Sequence, residues 1–217
     1  MTVRHDVSTS AKLAAACGTS AAALALAVPV VASAARPGYD HCRQFISELG
    51  ESGAPHAALV SYAGFLPIGV LTILFAAFAG RSLAPRLRAR LGLALFSGVG
   101  WAYVVAAFFP CDPGCPTSGS ATQSVHSASG LVEYLGGGLG LLLLATSFGR
   151  ARSRASFPSR LSLVCAAIVL WAFVAMLLPS LEGARGLVQR AAETALFVWM
   201  LAVSRTLWRS GDASPSN

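Results

Sequence analysis

Long unbroken runs of apolar residues alternate with short polar connections along the whole chain. Six such runs can be drawn, at about Leu13–Ala35, Ala57–Ala79, Leu91–Pro110, Ser127–Phe148, Leu161–Leu178 and Ala191–Trp208. At a rise of about 1.5 Å per residue each run reaches across a hydrocarbon core about 30 Å thick, the last two only just. A membrane-spanning β-strand alternates polar and apolar positions over about ten residues, and these runs do neither. The pattern predicts an all-α, polytopic transmembrane bundle of about six helices. Residues 1–12 form an N-terminal tail, 13–208 the bundle, and 209–217, made of Gly, Asp, Ser and Pro beyond Arg209, a disordered tail.

Composition agrees with burial in lipid. Of 217 residues, 55% are hydrophobic and 12% charged, where a soluble domain carries about 25% charged residues. Mean hydropathy is +0.64. The net charge of +7 raises the question of nucleic acid, and the distribution of charge answers it. The basic residues sit in clusters between apolar runs and form no continuous basic groove, so no nucleic-acid partner is expected. Arg4, Lys12, Arg81, Arg86, Arg88, Arg90, Arg150, Arg152, Arg154, Arg160, Arg205 and Arg209 fall on one side of the membrane. Arg36, Arg43, Arg185 and Arg190 fall on the other. The positive-inside rule places the first group, and both termini, in the cytoplasm. The first run ends in Ala32-Ser33-Ala34, the form of a signal-peptidase site. Its length exceeds the core of a signal peptide, about 7–15 residues, so a retained helix is expected.

Polar chemistry gathers in the connections that this orientation places outside. Cys111 and Cys115 flank the turn-forming Asp112-Pro113-Gly114. They are candidates for a disulfide, with Cys42 as an alternative partner for either. A metal reading has no second Cys/His pair behind it, and neither metal nor cofactor is expected. Cys17 and Cys165 lie within helices and read as packing residues. His126 opens the fourth helix, with Ser129, Gly130, Glu133 and Gly137 on one face. Glu133 lies at membrane depth, where an acid must be paired, protonated or functional. Gln189, Arg190 and Glu193 stand at the outer end of the last helix. Arg190 either pairs locally with Glu193 or holds a carboxylate or phosphate with its planar fork. Ser47 is a nucleophile candidate without a Gly-x-Ser-x-Gly elbow, or simply a helix-initiating serine. The expectation is that Ser47, Glu48, Asp112, His126, Glu133, Arg190 and Glu193 converge at the outer interface. His126, Glu133 and Ser47 are the catalytic candidates; Arg190, Glu193, Asp112 and Glu48 are the ligand-binding ones.

Phe45-Ile46-Ser47-Glu48-Leu49-Gly50, Pro110-Cys111-Asp112 with Cys115-Pro116, His126, and Gly186-Leu187 with Gln189-Arg190 follow one another in an order that resembles domain-of-unknown-function family 998. The resemblance implies a bacterial or archaeal membrane protein of about six helices and carries no activity; the expected location is the bacterial cytoplasmic membrane. In many members the position of Glu48 is Asp and that of Gln189 is Glu, so an acidic partner for Arg190 at position 189 is absent here. Three function classes stay open. One is binding or processing of a membrane lipid or small amphiphile in a polar pocket open to the outer leaflet. The second is an ion-coupled transporter or channel, and the third a non-catalytic structural partner. Nearly pure apolar inner halves argue against a through-path.

Overall fold

The computed structural model describes residues 2–83, 87–148 and 156–212. Residues 209–212 of the expected disordered tail are helical; the rest of that tail, and Arg86, Arg150, Arg152 and Arg154 from the orientation count, lie outside the described residues. Among the described residues there is no strand, and six helices are long and apolar enough to cross a membrane. Helix α1 is Thr2–Ala34. Helix α2 runs through Ala57–Leu59, a π turn at Val60–Phe65, and Leu66–Leu83. Helix α3 is Leu87–Phe108, α4 is Ala121–Phe148, α5 is Ser156–Met176 and α6 is Arg185–Asp212. Large apolar side chains such as Trp171, Val174, Leu163 and Leu131 stand exposed around the bundle. Water would penalise so wide an apolar surface, and acyl chains do not. The chain is a multi-pass integral membrane protein.

Each helix packs on its neighbours in sequence, and α6 closes the ring against α1. Three connections therefore meet at one end of the bundle: α1–α2, α3–α4 and α5–α6. This is the loop-rich end. Lipid offers no hydrophobic drive for helix association, so close packing of small residues supplies it. Helices α2 and α3 cross at Gly69 and Gly100. Helices α3 and α4 cross at Gly92 and Gly140, where a Cβ on Gly140 would lie 2.6 Å from the Gly92 carbonyl oxygen. In the middle of the ring Phe75, Phe96 and Trp199 are fully buried. The Phe96 and Trp199 rings sit 4.7 Å apart and the Trp199 indole donates to Ser162 Oγ at 2.8 Å. This aromatic layer seals the interior below the polar end.

Five of the six helix starts precede the hydropathy reading, with α3 at Leu87 rather than Leu91 and α5 at Ser156 rather than Leu161. Helix α1 begins at Thr2, so most of the expected N-terminal tail is helical. Helix α4 begins at Ala121 rather than Ser127, and α6 at Arg185 rather than Ala191. His126 therefore lies in the second turn of α4 instead of opening it. The added turns of α4 and α6 are polar, and a hydropathy window ends a helix where its polar residues begin. Here those residues make side-chain hydrogen bonds. Gln123 gives its Nε2 to the Pro116 carbonyl at 2.7 Å and to Ser127 Oγ at 2.9 Å.

Candidate functional site

At the loop-rich end three arginines pin the α1–α2 connection. Arg190 donates Nη1 to the carbonyls of His41, Gln44 and Gly186 at 2.8, 2.9 and 3.0 Å. Its Nη2 reaches the Tyr39 hydroxyl at 2.7 Å. Burial pushes the Tyr39 phenol above its ordinary value, against the pull of Arg190 beside it. Arg185 stacks over the Phe45 ring at 4.6 Å and donates to Glu48 Oε1 at 3.2 Å and to the Gly114 carbonyl at 3.1 Å. Arg36 donates to Glu51 Oε1 at 2.6 Å and to the Glu48 carbonyl. Glu48, only 2% exposed, also accepts from the Phe45 amide at 2.9 Å and from Gln44 Nε2 at 2.8 Å. The loop is thus folded around its own charges.

The α3–α4 connection clamps it from the other side. Cys111 and Cys115 form a disulfide, and Cys42 is free and exposed. The Ser52 amide donates to the Cys111 carbonyl at 2.9 Å, and the Gly114 amide to Glu51 Oε2 at 2.6 Å. Asp112 accepts from the Ser120 amide and hydroxyl, both at 2.7 Å, and Ser120 Oγ in turn accepts from the Gln123 amide at 3.1 Å. Asp112 thereby fixes the N-cap of α4. These hydrogen bonds hold its carboxyl below the ordinary carboxylate value.

Beneath this double lid lies a cavity of about 70 Å³. Helix α4 brings His126, Ser129, Gly130 and Glu133 to it from one face, spaced by three and four residues. Helix α3 contributes Tyr103, α6 contributes Gln189 and Glu193, and the loop contributes Ile46 and Ser47. Phe65, the last residue of the π turn, closes one wall. Such single π turns often accompany functional sites because they offset the helix face beyond them.

Glu193 and Glu133 meet in this cavity. Glu193 accepts hydrogen bonds on both oxygens, from Tyr103 at 3.0 Å and Tyr134 at 2.9 Å. The Glu133 and Glu193 carboxyls are hydrogen-bonded to each other, and no other group donates to the enclosed Oε1 of Glu133. His126 holds Nδ1 3.0 Å from the Phe109 carbonyl. A carbonyl only accepts, so Nδ1 carries the proton and Nε2 is the free ring nitrogen. No Lys or Arg lines the cavity.

The structure brings Ser47, His126, Glu133 and Glu193 of the expected set to this one cavity. It puts Glu48, Asp112 and Arg190 outside it, holding the lid. Arg190, expected to meet an anionic group, spends its donors on main-chain carbonyls and Tyr39. Ser47 Oγ lies 3.4 Å from Cys115 Sγ, and among the described residues no hydrogen bond joins it to His126. Cys111, Cys115 and His126 place one ligand atom each within 4.8 Å of one another, but the two sulfurs are bonded to each other. Sequence reasoning missed Tyr103 and Tyr134. Their signal was available: a phenol deep in an apolar helix needs a partner for its hydroxyl.

A family model described as protein of unknown function (DUF998) matches residues 19–206. No curated protein and no solved structure matches the chain.

Proposed function

The chain belongs to the DUF998 family, and for this member of a family without a described activity we propose a binding function. The cavity accepts the polar head of a lipid or small amphiphile that brings a hydrogen-bond donor, a hydroxyl or an ammonium. The observation that carries this reading is Glu133 Oε1, an enclosed carboxyl oxygen to which no protein group other than Glu193 offers a hydrogen bond. An unpaired buried acceptor costs roughly 1–3 kcal/mol, more when charged, and a donor from a ligand removes that cost.

The size and the opening support a head rather than a whole molecule. Ligand pockets run from about 300 Å³ upward, and about 70 Å³ holds a head group only. Gly130 lines the cavity, and a Cβ there would meet nothing within 4 Å. A head entering past Gly130 leaves its chain along Leu131 and Val132, both about half exposed to the bilayer. With the basic end in the cytoplasm, the cavity sits in the outer leaflet of the cytoplasmic membrane. His126 Nε2 and Glu133 stand ready as base and acid for any processing of that head. A transporter or channel is disfavoured by the Phe75, Phe96 and Trp199 layer beneath.

The test uses purified protein in nanodiscs, titrated calorimetrically with octylamine, a monoacylglycerol and octanoate. One donor-headed amphiphile should bind per chain and octanoate should not. Glu133→Leu, which keeps volume and removes the acceptor, and Gly130→Phe, which fills the opening, should each abolish binding. Binding by neither donor-headed probe, or equal binding by Glu133→Leu, overturns the reading.

A further inference from the structure

We infer that a second lipid site lies on the opposite half of the bundle, a groove between α2 and α3 that holds one anionic phospholipid. Its origin is the crossing at Gly69 and Gly100. The two backbones touch there, and below that contact a groove of about 450 Å³ opens between the helices.

The walls of the groove change character along its length. Ile73, Ala76, Ala77, Leu93 and Ala94 make it apolar, and Arg81 and Arg90 stand at its mouth. Ala77 and Ala94 are exposed, so their methyls leave room where larger side chains would close the gap. From Ile73 to Arg81 the helix rises about 12 Å, close to the half-thickness of a hydrocarbon core, about 15 Å. An acyl chain lying against the alanines therefore brings its phosphate level with the two arginines.

Charge selects the occupant. Arg81 and Arg90 are exposed, and among the described residues neither has an acidic partner. Arg81 is steadied over the Phe78 ring at 5.6 Å. A guanidinium fork binds phosphate oxygens in two-point contacts. A net-negative phospholipid satisfies both arginines, whereas a zwitterionic one brings its own cation to the same place. Attraction of an anionic headgroup to an arginine near the surface is worth about fivefold in affinity, so two give on the order of tenfold or more.

The experiment is native mass spectrometry of the full chain released from nanodiscs of mixed phosphatidylglycerol and phosphatidylcholine. The wild type should retain one phosphatidylglycerol in preference to phosphatidylcholine by on the order of tenfold. Arg81→Gln with Arg90→Gln should bring the preference close to unity. Ala77→Phe with Ala94→Phe fills the groove from its lipid side without entering the core, and should remove the retained lipid of either kind. Arg205→Gln with Arg209→Gln, at the end of α6, should leave the preference intact. A wild type without preference, or retention undiminished in both groove variants, overturns the site. Loss of preference only in the α6 variant would move the anionic lipid elsewhere and overturn it equally.

Discussion

Gly69 and Gly100 face each other across the α2–α3 crossing so closely that a Cβ on either would lie 2.6 Å from the carbonyl oxygen of the other. Backbone cannot step aside as a flexible side chain can. Gly69→Ala or Gly100→Ala should therefore destabilise the bundle by about 1–3 kcal/mol. Gly130→Ala, whose Cβ would meet nothing within 4 Å, should be close to neutral. Thermal unfolding of the purified variants in one detergent separates the two cases. Equal melting temperatures for all three would contradict the crossing.

Asp112 predicts an acid-sensitive start to α4. Its carboxyl accepts two hydrogen bonds from Ser120 and is held below the ordinary value of 3.8. A depressed value means that the ionised form is favoured by folding. The stabilisation is present above about pH 4 and is lost as pH falls through the folded-state value. Amide hydrogen exchange across residues 117–124 should accelerate on acidification, beyond the intrinsic change in exchange chemistry. In Asp112→Asn that extra pH dependence should vanish, and its persistence would assign the acid sensitivity to another group.

Thiol labelling reports both the disulfide and the orientation. Cys42 is exposed and free, whereas Cys111 and Cys115 are joined. A membrane-impermeant maleimide applied to intact cells should label Cys42 before reduction, and Cys111 and Cys115 only after it. Labelling of Cys42 solely after the cells are broken would place the loop-rich end in the cytoplasm and invert the proposed topology.

Glu48 should prove structural in experiment, whatever its neighbourhood suggests. It is buried and accepts from Arg185, Gln44 and the Phe45 amide. Removing one partner of a buried ion pair leaves the other uncompensated and costs about 3 kcal/mol or more. Glu48→Ala should lower thermal stability by that order while leaving amphiphile binding per folded molecule unchanged. Loss of binding with unchanged stability would instead place Glu48 in the site.

Hydropathy along the chain is enough to put this protein in a membrane and to count its crossings. Hydropathy is a sum over neighbours in sequence, and six long apolar runs survive that sum without knowledge of any partner. The sequence also narrowed the disulfide to three thiols, Cys42, Cys111 and Cys115, because these fall in the connections that the charge count puts outside. What it could not determine is which polar group meets which. Gln189, Arg190 and Glu193 lie within five residues of α6, yet Glu193 faces two tyrosines in the cavity, Gln189 takes the Ile46 amide, and Arg190 holds the α1–α2 loop. Gln189 and Glu193 share a helix face at i and i+4 and Arg190 points about 100° from Gln189, so face and depth together set which element each meets. The identity of that element depends on how the ring of helices closes. The same closure turned Glu48 and Asp112 into supports of the lid and put Tyr103 and Tyr134 beside Glu193. Local pattern decides burial in lipid because every residue in a run feels the same solvent. Partner choice was decided only by the tertiary structure, because it rests on angles and distances between segments far apart in the chain.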